Sequence, residues 1–99
     1  MTKVQISDDA LADLNDGHWF YDAQEPGLGD YFTSCLRADI EGLKVSAGIH
    51  PIVYRDYHRV LSRVFPYGVF YTMDDEGAVV WAVVDLRRDP QWIRGHLSK

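Results

Sequence analysis

The stretch YGVFYTMDDEGAVVWAVVDLRRDP, residues 67–90, decides the architecture. Residues 67–73 and 78–86 are rich in valine and aromatic side chains, which favour extended chain. Between them Asp74-Asp75-Glu76-Gly77 is turn material, so the two runs form an antiparallel hairpin. Val79, Trp81 and Val83 alternate with Val80, Ala82 and Val84. With a side-chain period of two, both faces of this last strand are apolar and both need cover. Asp89-Pro90 stops the strand and opens a short helix, Asp89 as its cap and Pro90 at its first position. Trp92, Ile93 and Leu97 are that helix's apolar residues, and Trp92 is expected to seat it on the sheet.

Working back, residues 52–55 and 59–65 read as two further strands, with Asp56-Tyr57-His58 as the turn between them. Pro66 has no amide proton for a ladder and belongs at an edge or a strand end. The first half is helical. Ser7 before Asp8 and Asp9 is a cap followed by carboxylates at the positive end of a dipole. Leu11, Leu14, His18 and Tyr21 recur at helical steps over residues 8–24. Of the adjacent Trp19, Phe20 and Tyr21, two are expected in the core. Pro26, Gly27 and Gly29 make a turn. Asp30 caps a second helix whose Phe32, Leu36, Ile40 and Leu43 share one face and which Gly48 ends. The fold class is therefore α+β. An N-terminal antiparallel helical hairpin packs on one face of a four-stranded antiparallel sheet, with room for a short N-terminal strand. A short C-terminal helix covers part of the other face, and the remainder is open to a partner.

Residues 1–99 are the length of one domain with a single core. One cysteine, Cys35, allows no internal disulfide and no cysteine zinc cluster, and it fits a reducing cytoplasm. No metal or cofactor is expected. No apolar run approaches the length of a membrane span, and the N-terminus lacks a signal-peptide pattern. The net charge of −5 is unevenly spread. Residues 1–50 carry three basic residues against nine acidic ones, whereas six of the seven arginines fall after residue 50. Arginine is suited to planar, bidentate recognition of anions.

Phe20-Tyr21-Asp22-Ala23-Gln24 with Gly27-Leu28-Gly29, Arg63-Val64-Phe65-Pro66-Tyr67 leading to Val69-Phe70-Tyr71, and Val83 through Arg87-Arg88-Asp89-Pro90 form a recognisable set. Together they resemble the RelE/ParE toxins of bacterial type II toxin–antitoxin systems, which include plasmid-stabilisation proteins. The resemblance spans roughly residues 6–97. It implies a cytoplasmic growth inhibitor held inactive by a cognate antitoxin. ParE-like members poison DNA gyrase; RelE-like members cut messenger RNA on the ribosome without a metal. Such cleavage needs a base for the 2′-hydroxyl, cations for the phosphate and an acid for the leaving oxygen. Arg59 falls where the family has a first lysine, but Leu61 replaces the second, Gly68 replaces an arginine, and Ile93 replaces a tyrosine. Arg87 occupies a later arginine position. The resemblance thus favours action by binding, with gyrase as target. The alternatives are a ribosome-dependent ribonuclease or a relative that only binds.

If the chain is a ribonuclease, Arg59, Arg87 and His58 are the candidate catalytic residues, His58 being otherwise a polar turn residue. For antitoxin or target binding the candidates are Arg59, Arg63, Arg87, Arg88 and Trp92. Arg59 and Arg63 are expected on one strand face, forming a cationic cluster with Arg87 on the sheet. Against that stands the plainer reading, in which these arginines pair with Asp56, Asp85 or Asp89. Arg55 and Arg94 read as surface residues. A homodimer is compatible with the sequence.

Overall fold

The computed structural model describes residues 1–98. A short strand β1 (Val4–Ile6) leads into helices α1 (Asp8–Asp22) and α2 (Leu28–Glu41), a single turn α3 (Leu43–Ser46) and a 3-10 turn at Ala47–Ile49. Strands β2 (Ile52–Tyr54), β3 (Tyr57–Leu61), β4 (Tyr67–Asp74) and β5 (Gly77–Asp85) follow, then helix α4 (Pro90–Leu97). The strand order is β1-β5-β4-β3-β2.

The sheet is mixed, not wholly antiparallel. The N-terminal strand is present, and it runs parallel to β5, with Val4 opposite Ala78 and Ile6 opposite Val80. The other three pairings are antiparallel, as expected. Ser7 is what cuts β1 short. Its amide still donates to the Val80 carbonyl, while its hydroxyl accepts the Ala10 amide as the N-cap of α1. Gly77 sits at φ +132° beside Lys3, whose carbonyl accepts the Ala78 amide at 2.8 Å. A Cβ at residue 77 would strike that carbonyl, so the seam between β1 and β5 requires glycine there.

The β4–β5 turn is closed by the Asp74 carboxylate, which accepts the amides of Glu76 (2.8 Å) and Gly77 (3.2 Å). β3 ends at Leu61, four residues earlier than expected from the apolar run. Ser62 turns the chain: its hydroxyl accepts the Phe65 amide, and its own amide donates to the Tyr67 carbonyl. The turn before β3 is Arg55-Asp56, and Tyr57 and His58 already belong to the strand.

The two helices are antiparallel, as the contacts of Gly17 with Phe32 and of Gly29 with His18 require. A Cβ on Gly17 would lie 2.5 Å from the Phe32 ring, so the missing side chain sets how closely the helices approach. Asp30 is not the cap of α2. Asp22 reaches from the end of α1 to accept the amides of Gly27 (3.0 Å) and Gly29 (3.2 Å), and the helix starts three residues earlier, at Leu28. Of the three adjacent aromatics only Tyr21 is buried; Trp19 and Phe20 are exposed. The buried stripe of α1 runs Ala10, Leu14, Gly17 and Tyr21, so Leu11 is also outside it.

The hairpin and one sheet face enclose the main core, with Phe32, Leu36, Val69, Tyr71 and Val80 fully buried. Face assignment along β5 does not follow simple alternation. Ala82 lies opposite Phe70 but Val80 lies opposite Tyr71, so Trp81 is an extra residue, a β-bulge. As a result Val80 and Val83 face the same core, while Ala82 and Val84 turn to the other side. There they join Phe70 and Leu97 in a second, smaller cluster beneath α4.

Candidate functional site

The second sheet face is only partly covered. Arg59 lies opposite Phe70, which places it on this face. A Cβ at Gly68 would be 3.2 Å from Cγ and Cδ of Arg59 and 3.1 Å from Leu86, so the bare glycine leaves room for the arginine stem to lie across β4. Arg88 follows β5, its guanidinium 3.9 Å from the centre of the Trp92 ring. Arg94 projects from α4 over Tyr54, 6.0 Å from the ring centre, and Tyr54 in turn stacks with Tyr57. Arg59, Arg88 and Arg94 line one groove of about 230 Å³ with an apolar floor that includes Phe70, Leu86 and Leu97. Among the described residues, none of these three arginines makes an ion pair.

The other two candidate arginines are engaged elsewhere. Arg87 grips Asp85 by a two-pronged contact, Nε to Oδ1 at 3.0 Å and Nη2 to Oδ2 at 2.8 Å. That grip holds the Asp85 carboxyl below the usual carboxylate range despite its partial burial, and raises Arg87 further. Arg63 is not on the face of Arg59. It lies beyond the end of β3 and its Nε is 3.5 Å from Asp39 on α2. The expected cluster of Arg59, Arg63 and Arg87 does not form; Arg59, Arg88 and Arg94 come together instead.

His58 faces the helical side, stacked on Tyr71 with ring centres 5.1 Å apart. Its Nδ1 is 2.9 Å from the His50 carbonyl, which can only accept, so Nδ1 carries the proton. Arg59 and His58 therefore sit on opposite faces of β3. Trp92 is 41% exposed and does not seat α4. Ile93 and Leu97 do that, and the Tyr57 hydroxyl donates to the Leu97 carbonyl at 2.9 Å.

A second cavity, of about 500 Å³, opens on the other flank of α4, between that helix and α1. Arg88, Trp92, Tyr67, Asp16 and the pair Asp13–His96 line it. Burial pushes the Tyr67 hydroxyl up to about 12, with the nearby Tyr21 and Asp85 adding to the rise. Arg88 thus stands between the two cavities. Among the described residues no three side chains of ligating type stand close enough to hold a metal ion, and no helix is long and apolar enough to cross a membrane.

Sequence reading missed Arg94, Tyr54 and the Asp13–His96 pair. The signal for Arg94 was present: Pro90, Ile93, Arg94 and Leu97 follow the i, i+3, i+4, i+7 pattern of one helical face, and all four line the groove. Tyr54 carried none, since its role depends on how β2 registers with β3.

Comparison with known proteins agrees at the level of fold. No family model matches the chain, and no curated protein sequence matches it. Its structure is similar to a chain of the chromosomal ParDE TA system from P. aeruginosa, with a TM-score of 0.77. The two share 13% sequence identity, and the superposition covers 84% of this chain and 94% of that one.

Proposed function

We propose that this protein is the toxin of a toxin–antitoxin pair, and that its arginine groove receives an acidic, partly apolar segment of the antitoxin. The observation that carries this is the trio Arg59, Arg88 and Arg94, without ionic partners among the described residues, around an apolar floor on the sheet face the chain leaves open. Carboxylates meeting three guanidinium groups supply orientation, and apolar side chains on the floor supply affinity. The shared fold with a chain of a ParDE system supports the same reading. Free of its antitoxin, the protein acts in the cytoplasm by binding DNA gyrase.

The ribonuclease alternative is the weaker one. The groove offers cations for a phosphate, but the histidine that would serve as base is on the far face of β3, and Arg87 is already neutralised by Asp85. Inducible expression tests the proposal. Growth should stop, and coexpression of the product of the neighbouring reading frame should restore it. The purified protein should inhibit gyrase supercoiling at micromolar concentration, and messenger RNA ends should show no new cuts. Unimpaired growth removes the toxin reading; codon-specific cuts move the target to the ribosome.

A further inference from the structure

We propose that Asp13 and His96 form a proton-operated buckle that fastens α4 to the helical hairpin and fixes Trp92 and, through it, Arg88, which lines both cavities. Nε2 of His96 lies 2.9 Å from Oδ1 and 3.0 Å from Oδ2 of Asp13, with each side chain only 11% exposed. The carboxylate is held in place from behind. Its Oδ2 also accepts the Val83 amide at 2.9 Å, on the stretch of β5 that β1 is too short to cover. Asp13 therefore caps a bare strand edge, and the movable half of the pair is His96 on α4.

What the buckle holds follows from stacking. The imidazole lies against the Trp92 ring, centres 4.8 Å apart and planes at 11°, and the same indole carries the Arg88 guanidinium. Releasing His96 frees the indole on one side and with it the support of Arg88. Apart from this pair, α4 is fastened by Ile93, Leu97 and the bond from Tyr57. These lie on its groove side, so the α1 side depends on His96.

A charged imidazole bonded to a carboxylate makes a charge-assisted bond; a neutral ring keeps an ordinary one. Histidine is the side chain that changes charge between about pH 5 and 8. The other groups lining that cavity are Asp16 of α1, Tyr67 of β4, and Asp85 and Arg88 at the end of β5, with Arg87 bound to Asp85. Carboxylates, tyrosine and arginine keep their charge state across that interval. The fastening is thus tighter with a charged ring than with a neutral one, and so weaker at the upper end of that interval than at the lower. The inference concerns the docking of α4 and does not depend on which partner fills the groove.

Native-state amide exchange of the intact chain, corrected for intrinsic rates, tests it at about pH 5.5 and about pH 8. Protection of the amides of residues 93–97 should fall about fivefold at the higher pH, the step from a charge-assisted to a neutral bond. Amides of α1 should not change. His96→Gln and Asp13→Asn should show the lower protection at both values; the asparagine still accepts the Val83 amide. Equal protection of α4 at both values in the unaltered chain overturns the proposal. So does an unchanged pH response in His96→Gln, or a parallel loss across α1.

Discussion

Arg87 and Arg88 are neighbours in sequence with opposite fates. β5 ends at Asp85 and the chain turns there, the Arg88 amide donating to the Asp85 carbonyl at 3.1 Å, so that Arg87 folds back on the Asp85 carboxylate in the two-pronged pair. Arg88, four residues before Trp92, lies over that aromatic face and makes no ion pair among the described residues. That Asp85 would pair with one of the two arginines could be read from the sequence; which one could not, because it depends on the turn that follows β5. What could not be read was that the sheet needs Arg88 and Arg94 as neighbours. Arg88→Ala should weaken antitoxin binding about 5- to 100-fold, the range for a central interfacial arginine. Arg63→Ala should change it less than about threefold, because an exposed surface pair contributes little. Calorimetric titration of each variant distinguishes them. Asp85 makes a second prediction. A carboxyl held below its usual range stabilises the fold while ionised, fully above about pH 4, and the contribution is lost as pH falls through the folded value. Stability between about pH 4 and 2 should therefore fall less steeply in Asp85→Asn than in the parent, as measured by urea unfolding. Equal slopes would show that the Arg87 contact does not hold in solution.

At the level of elements, the hairpin from Tyr67 to Asp85, α1 and the C-terminal helix were legible because each carries its own punctuation: Asp74 to Gly77, Ser7, Asp89-Pro90. α2 was legible by its apolar period alone, since it runs Leu28–Glu41 and neither Asp30 nor Gly48 bounds it. Two features were not. The direction of β1 depends on a partner over seventy residues away, and three residues carry too little pattern to announce it. The bulge at Trp81 is invisible in an unbroken apolar run, since every residue of Val79–Val84 suits either face. Its consequence reaches the groove indirectly, because it turns Ala82 and Val84 toward α4, where they pack with Phe70 and Leu97 of the groove lining. The close helix packing gives an element-scale test. Gly17→Ala gains helix propensity of up to about 1 kcal/mol but drives a methyl into a fully buried Phe32 ring packed against Tyr21, Phe65 and Tyr67. Overpacking of this kind costs about 1–3 kcal/mol, so a net loss of about 1–2 kcal/mol is expected by denaturant titration. A more stable variant would mean that the helices separate easily.

Across the whole molecule, charge and cover are divided between two sides. The acidic hairpin covers the centre of one sheet face, while Arg59, Arg88 and Arg94 gather on the face that α4 covers only in part. This division accounts for a chain that is acidic overall and yet presents a cationic groove. The core itself should limit alkaline stability. Burial pushes Tyr67 and Tyr71 up to about 12, so each favours the folded state while neutral, and that contribution is lost as pH rises from about 10 through about 12. Tyrosinate absorbance should show these two ionising last and together with unfolding; titration of all six tyrosines near pH 10 in a folded chain would contradict the burial. The central claim is that Arg59, Arg88 and Arg94 act as one recognition surface. The most direct measurement is calorimetric binding of the proposed antitoxin, the product of the neighbouring reading frame, to the triple alanine variant of these residues and to Arg63→Ala/Arg87→Ala. The triple variant should lose at least about 100-fold in affinity with its fold intact, and the double variant should stay within about threefold of the parent. Equal losses, or a larger loss in the double variant, would contradict it.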